Sequence, residues 1–124
     1  MKRILLCLAA SGLTAGPALA APGDMSVATF LTKAEALKAK GMAAMFSSDV
    51  GALTSEGKAA AANYRARLEN ERKAGRPSSC PPAKASVSSN ELLAHLASYP
   101  VAARPSVPMT RAMGDFFARK YPCR

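Results

Sequence analysis

The chain holds one histidine, no tryptophan, three cysteines and eight carboxylates against seventeen basic side chains. Each shortage excludes something. A lone histidine, His95, cannot assemble a metal site without partners, and Glu91, one helical turn before it, does not complete one. Flanked by Ala94 and Leu96 on a predicted helix, it reads as a partly exposed helix residue. The carboxylates are scattered, most beside a base or at a helix start, which suits capping and surface pairing better than acid–base chemistry. The glycines stand alone, so no loop can cradle a phosphate, and no Gly-x-Ser-x-Gly nucleophile signature is present. The expectation is a protein without catalytic activity, metal or cofactor. Alternating β-branched runs of strand length are also missing, valine is scarce and alanine abundant, which points away from sheet and toward helix.

What is present begins with an export signal. Met1-Lys2-Arg3 places positive charge ahead of a short apolar run, ILLCLAASGLTA, over residues 4–15. Pro17 breaks the run, and Ala18-Leu19-Ala20 offers the small-x-small pattern of a cleavage site before Ala21. A membrane span needs about 20 apolar residues, and this run is shorter. Residues 1–20 are therefore expected to be a cleavable signal peptide and residues 21–124 a single domain, periplasmic or secreted. Two cysteines remain there, Cys80 and Cys123, without a Cys-x-x-Cys motif. In an oxidising compartment they are expected to pair. Closing a loop of about 44 residues, the bridge is worth roughly 4 kcal/mol.

The formal charge of +9 falls to +7 once Lys2 and Arg3 leave with the signal. In a cytosolic protein that excess would suggest nucleic acid. Export removes that partner and leaves lipid head groups, cell-wall polymers and acidic protein surfaces.

Helical periodicity organises the domain. Ser26 is placed to cap a helix whose Val27, Phe30, Leu31, Ala34 and Leu37 share one face, with Thr32 and Glu35 at the spacing of a second capping box. Ser47-Ser48-Asp49 with Gly51 reads as a turn, and the next helix is expected from about Thr54 or Ser55 to about Ala74. That helix carries a narrow apolar stripe, Ala61, Tyr64 and Leu68, among many charges. A proline-containing connector over 75–88 precedes a third helix, started by Ser88 and Glu91 at capping-box spacing and stopped by Pro100. Ser106 is expected to cap a last helix with Pro108 in its first turn. Its stripe of Met109, Ala112, Met113, Phe116 and Phe117 is the strongest in the chain and reads as core. The expected fold is all-α: a small bundle of four or five short helices with one disulfide.

Two surface features are candidates for an interface. Met42, Met45 and Phe46 follow Gly41 on a segment too short to bury them, and methionine adapts to irregular partners. Arg65, Arg67, Arg72 and Lys73 form a basic cluster that can meet an acidic partner or anionic head groups.

Residues 79–123 read SCPPAKASVSSNELLAHLASYPVAARPSVPMTRAMGDFFARKYPC. A cysteine followed by proline, a capped helix ending in Tyr-Pro, and a last helix closing in aromatic-Pro-Cys resemble the C-terminal half of the Rap/Tai family. Those are periplasmic immunity proteins that bind and block type VI secretion amidase effectors, which cut peptidoglycan peptides. Cys80, Pro81, Leu92, Leu96, Pro100, Tyr121, Pro122 and Cys123 carry the likeness. The resemblance implies a helical protein, often a homodimer, that occludes a cell-wall amidase sterically and does no chemistry itself. The alternative expectation is a basic envelope-associated protein resting on anionic lipids or wall polymers.

Overall fold

The computed structural model describes residues 20–124. The signal peptide expected over residues 1–20 lies, up to residue 19, outside the described residues. Four α-helices make the domain: α1 (Val27–Lys40), α2 (Ser48–Lys73), α3 (Ser89–Ala97) and α4 (Met109–Lys120). Short 3₁₀ turns at Gly41–Phe46 and Arg104–Ser106 connect them. No helix among the described residues is long and apolar enough to cross a membrane.

Local chemistry sets most boundaries. Ser26 caps α1, its hydroxyl oxygen accepting from the Thr29 N–H. Gly41, at φ 58°, ends the helix in the left-handed region that a side chain would strain. α1 runs unbroken through the second capping-box candidate, where the Thr32 hydroxyl donates back to the Ala28 carbonyl and caps no new start. Ser88 and Glu91 form the expected capping box at α3.

Two starts differ from the sequence expectation. α2 begins at Ser48, about two turns before Thr54, since Ser47 accepts from the Asp49 N–H and acts as cap rather than as turn. Asp49 then sits in the first turn, favourable at the positive end of the helix dipole, and pairs with Lys33 of α1 at 3.3 Å. At α4 the cap residue is Pro108, extended at ψ 152°, and not Ser106. The residues ahead of α1 supply what a side chain would have supplied. Met25 and Gly23 carbonyls accept from the Met109 and Thr110 N–H groups, each at 2.8 Å. A short antiparallel pairing at Ser26 and Pro108 holds this crossing, with the Val27 N–H donating to Val107.

The core lies where α4 meets α2. Tyr64, Leu68, Met109, Met113, Phe116 and Phe117 are all buried, and the Tyr64 and Phe117 rings lie 5.4 Å apart. Gly114 permits the close approach, for a Cβ there would come within 3.1 Å of the Tyr64 ring. α1 packs against α2, α3 and α4, whereas α2 and α3 hardly touch each other. Two of the buried polar side chains find partners across the core. Ser79 meets the Tyr64 hydroxyl and Glu56 accepts from the Met25 N–H. Cys80 and Cys123 are bonded, with Cα atoms 5.0 Å apart, and the Cys80 N–H donates to the Tyr121 carbonyl.

Candidate functional site

Three surfaces carry unspent chemistry. The first is the turn between α1 and α2. Met42, Met45 and Phe46 are 80%, 72% and 92% exposed. A 3₁₀ turn brings residues three apart into line, so Met42 and Met45 stand on the same side. Large apolar side chains clustered in this way on a soluble surface mark interaction sites more often than single exposed ones do.

The second is the basic face of α2. The four cations singled out from the sequence do not act together. Arg67 lies over the Tyr64 ring at 4.9 Å and pairs with Glu71 at 3.4 Å, both on its own helix, so it is already engaged. Arg72 meets Glu69 at 3.8 Å. Arg65 and Arg72, seven residues apart, fall on one stripe, and Lys58 extends it by another seven. Lys58 was not distinguishable as a site residue in the sequence, where its neighbours on the stripe were hidden by the denser charge further along. The exposed turn and the Arg72–Lys73 end are separated by nearly the whole of α2, about 36 Å at 1.5 Å per residue. The turn and the basic cluster are therefore two surfaces.

The third is a groove of about 540 Å³ in the seam where α2 and α3 fail to meet. Phe30, Ala34 and Leu37 of α1, with Met113 of α4, line its depth. One wall is α2, through Val50, Thr54, Gly57, Lys58, Ala61 and Arg65. The other is the start of α3, through Leu92 and Leu93, with the connector residues Ala85 and Val87 beside them. No carboxylate lines it. No local motif signals such a groove, because it arises from which helices stay apart.

Away from these surfaces, His95 is buried, 6% exposed, where a partly exposed position was expected. Its Nε2–H donates to the Ala112 carbonyl at 2.9 Å, and its ring packs edge-on against Tyr99 and Phe116. Nδ1 has no partner among the described residues. Burial pulls its pKa below the ordinary imidazole value, against the opposing effect of the bond to Ala112. Beside it, the Tyr99 hydroxyl donates to Asp115, and burial together with that bond pushes the phenol pKa up. Glu91 accepts from Lys120 at 2.8 Å, and this bond, with those from Ser88, lowers its carboxyl pKa to about 2. These contacts tie α3 to α4. Among the described residues no group of three or more histidine, cysteine or acidic side chains is placed to hold a metal. Compared with known protein families, with curated proteins and with solved structures, the chain matches none of them.

Proposed function

We propose that this chain is an exported binding protein that seats a protein partner on the turn between α1 and α2. One observation carries the reading: three large apolar side chains, Met42, Met45 and Phe46, are held in water on a single six-residue turn. Full burial of each against a partner is worth about 1.5–3 kcal/mol, and the helices on both sides fix the turn in place. The resemblance of residues 79–123 to the Rap/Tai proteins supplies the class of partner, a peptidoglycan amidase effector, and the mode, steric occlusion. The signal-like segment before Ala21 supports an encounter in the periplasm or outside the cell.

The stripe of Lys58, Arg65 and Arg72 favours a second reading, a weak electrostatic association with anionic lipid or wall polymers. The two differ in salt dependence, since screened surface charges lose their attraction above physiological ionic strength. The oxidised domain, residues 21–124, is used to capture partners from envelope extracts at low and at high salt. The captured material is then assayed for cleavage of peptidoglycan peptides. The expected result is one wall-cutting amidase retained at both salts, inhibited by the domain, and lost from a Met42→Ser/Phe46→Ser variant. Loss of every captured species at high salt overturns this reading in favour of envelope association.

A further inference from the structure

The groove between α2 and α3 is separate from the exposed turn, and its polarity has a direction. Along α2 the wall reads Val50, Thr54, Lys58, Ala61, Arg65, a stripe about 22 Å long at 1.5 Å per residue. The end beside the α1–α2 turn is apolar, with Val50 of α2 and Leu37 of α1 both in the lining. Both cations stand in the other half, one on each side of Ala61. Neither Lys58 nor Arg65 is engaged in an ion pair among the described residues, and with no carboxylate in the lining their charge is uncompensated there. Ser88 and Ser89, at the N-terminal end of α3, also border the groove. The partial positive charge of a helix start adds to that of the cations. Glu91, the one acid of that turn, is bonded to Lys120 and lies outside the lining.

We propose that this groove binds a single-chain amphiphile with an anionic head group, its acyl chain lying toward Leu37 and Val50 and its carboxylate or phosphate held above Ala61 by Lys58 and Arg65. The volume falls within the range of ordinary small-ligand sites, about 300–1,000 Å³, and the mix of an apolar lining with few charged groups is the usual one. An amphipathic helix would need polarity across the groove, apolar below and polar above along its whole length. Along the α2 wall the polarity changes with the axis, as it does in a fatty acid or a lysophospholipid. Gly57 and Ala61 keep the α2 wall low, and a side chain built on Gly57 would meet nothing within 4 Å, so the space beside it is open.

The site makes its own test possible. Gly57→Leu places four carbons in the groove while improving helix propensity, so loss of binding is separable from loss of fold. The oxidised domain, residues 21–124, is titrated with a dansyl-labelled fatty acid below its micelle concentration. The probe is then displaced with palmitate, with a lysophosphatidylglycerol and with palmityl alcohol. The expected result is saturable binding, displacement at least tenfold better by the anionic ligands than by the alcohol, and at least tenfold weaker binding to Gly57→Leu at an unchanged or raised Tm. Lys58→Gln/Arg65→Gln abolishes the preference for the anions, and Arg111→Gln/Arg124→Gln, which removes the same charge elsewhere, preserves it. Which anion displaces better tells a free carboxylate from a phosphate head group. Non-saturable binding, equal displacement by the alcohol, or unaltered affinity in Gly57→Leu overturns the assignment. So does a result in which only an acidic amphipathic peptide binds the groove. Capture of an amidase through the turn is independent of all these outcomes.

Discussion

At the residue scale, the least expected position is Gly23. It precedes every helix of the domain, yet it is buried, at φ 94°, with its carbonyl accepting from both the Thr110 N–H and hydroxyl. A Cβ there would lie 2.5 Å from the Asn63 side-chain nitrogen and 3.2 Å from the Ala60 backbone nitrogen. Asn63 can swing away, but backbone cannot, and the left-handed conformation adds strain. Gly23→Ala is therefore expected to cost about 1–3 kcal/mol, read as a shift in urea midpoint at constant slope. A loss below a few tenths of a kcal/mol would show that the segment is not docked on α4. His95 gives a second residue-scale prediction. Its pKa is depressed in the folded protein, so the unfolded chain takes up a proton first as pH falls. Its contribution to stability is then complete above about 6.5, the ordinary imidazole value, and is lost progressively below it. Asp115 opposes the shift and Arg119 reinforces it, though burial comes first. Thermal melts at about pH 7.5 and about pH 5.5 should differ less in His95→Leu than in the native protein. Glu91 adds its own loss only below its ordinary value of 4.5, down to about 2, and so does not confuse that window. An equal pH difference in both proteins would assign the effect elsewhere.

At the element scale, what could be read from the sequence divides by the range of the interaction. Ser26, Ser88 and Glu91 were legible because a cap is chemistry between neighbours in the chain. The stripe of α4 was legible because one strongly apolar face leaves a single packing solution. The start of α2 was not, since Ser-Ser-Asp with a nearby glycine is the composition of a turn and of an N-cap alike. Tertiary contacts decide it: Leu53 is buried against the core and Asp49 reaches Lys33, which requires helix from Ser48 onward. The cap of α4 could not be read because its partners, Gly23 and Met25, come from the opposite end of the domain. The corrected start has a measurable consequence. Gly51 lies inside α2, exposed, with nothing within 4 Å of a Cβ. Gly51→Ala should therefore stabilise the protein by about 0.5–1 kcal/mol. In a turn dependent on glycine the same change would be neutral or destabilising, so the sign of the shift in Tm distinguishes the two.

At the scale of the whole molecule, two long connections have to be held against a modest core. The connector after α2 has no helix of its own. Tyr64 grips it through the Ser78 and Ser79 hydroxyls, Glu71 accepts from Ser78, and Cys80 is bonded to Cys123. Because Cys123 follows α4 by only three residues, the bridge joins the exit of α2 to the exit of α4, the two helices that form most of the core. Its separation of 43 residues corresponds to roughly 4 kcal/mol of lost unfolded-state entropy. For a domain of this size 1 kcal/mol moves Tm by about 4–8 °C, so Cys80→Ser/Cys123→Ser should melt at least about 15 °C lower. The loss should be uneven. Residues 76–88 have only side-chain and single backbone anchors once the bond is gone, whereas the caps of α1, α3 and α4 do not involve it. Limited proteolysis of the double variant should then cut first within 76–88, ahead of global unfolding. Cleavage that begins instead in the exposed turn at Gly41–Phe46, at the same rate with and without the bridge, would mean that the disulfide adds little to the frame.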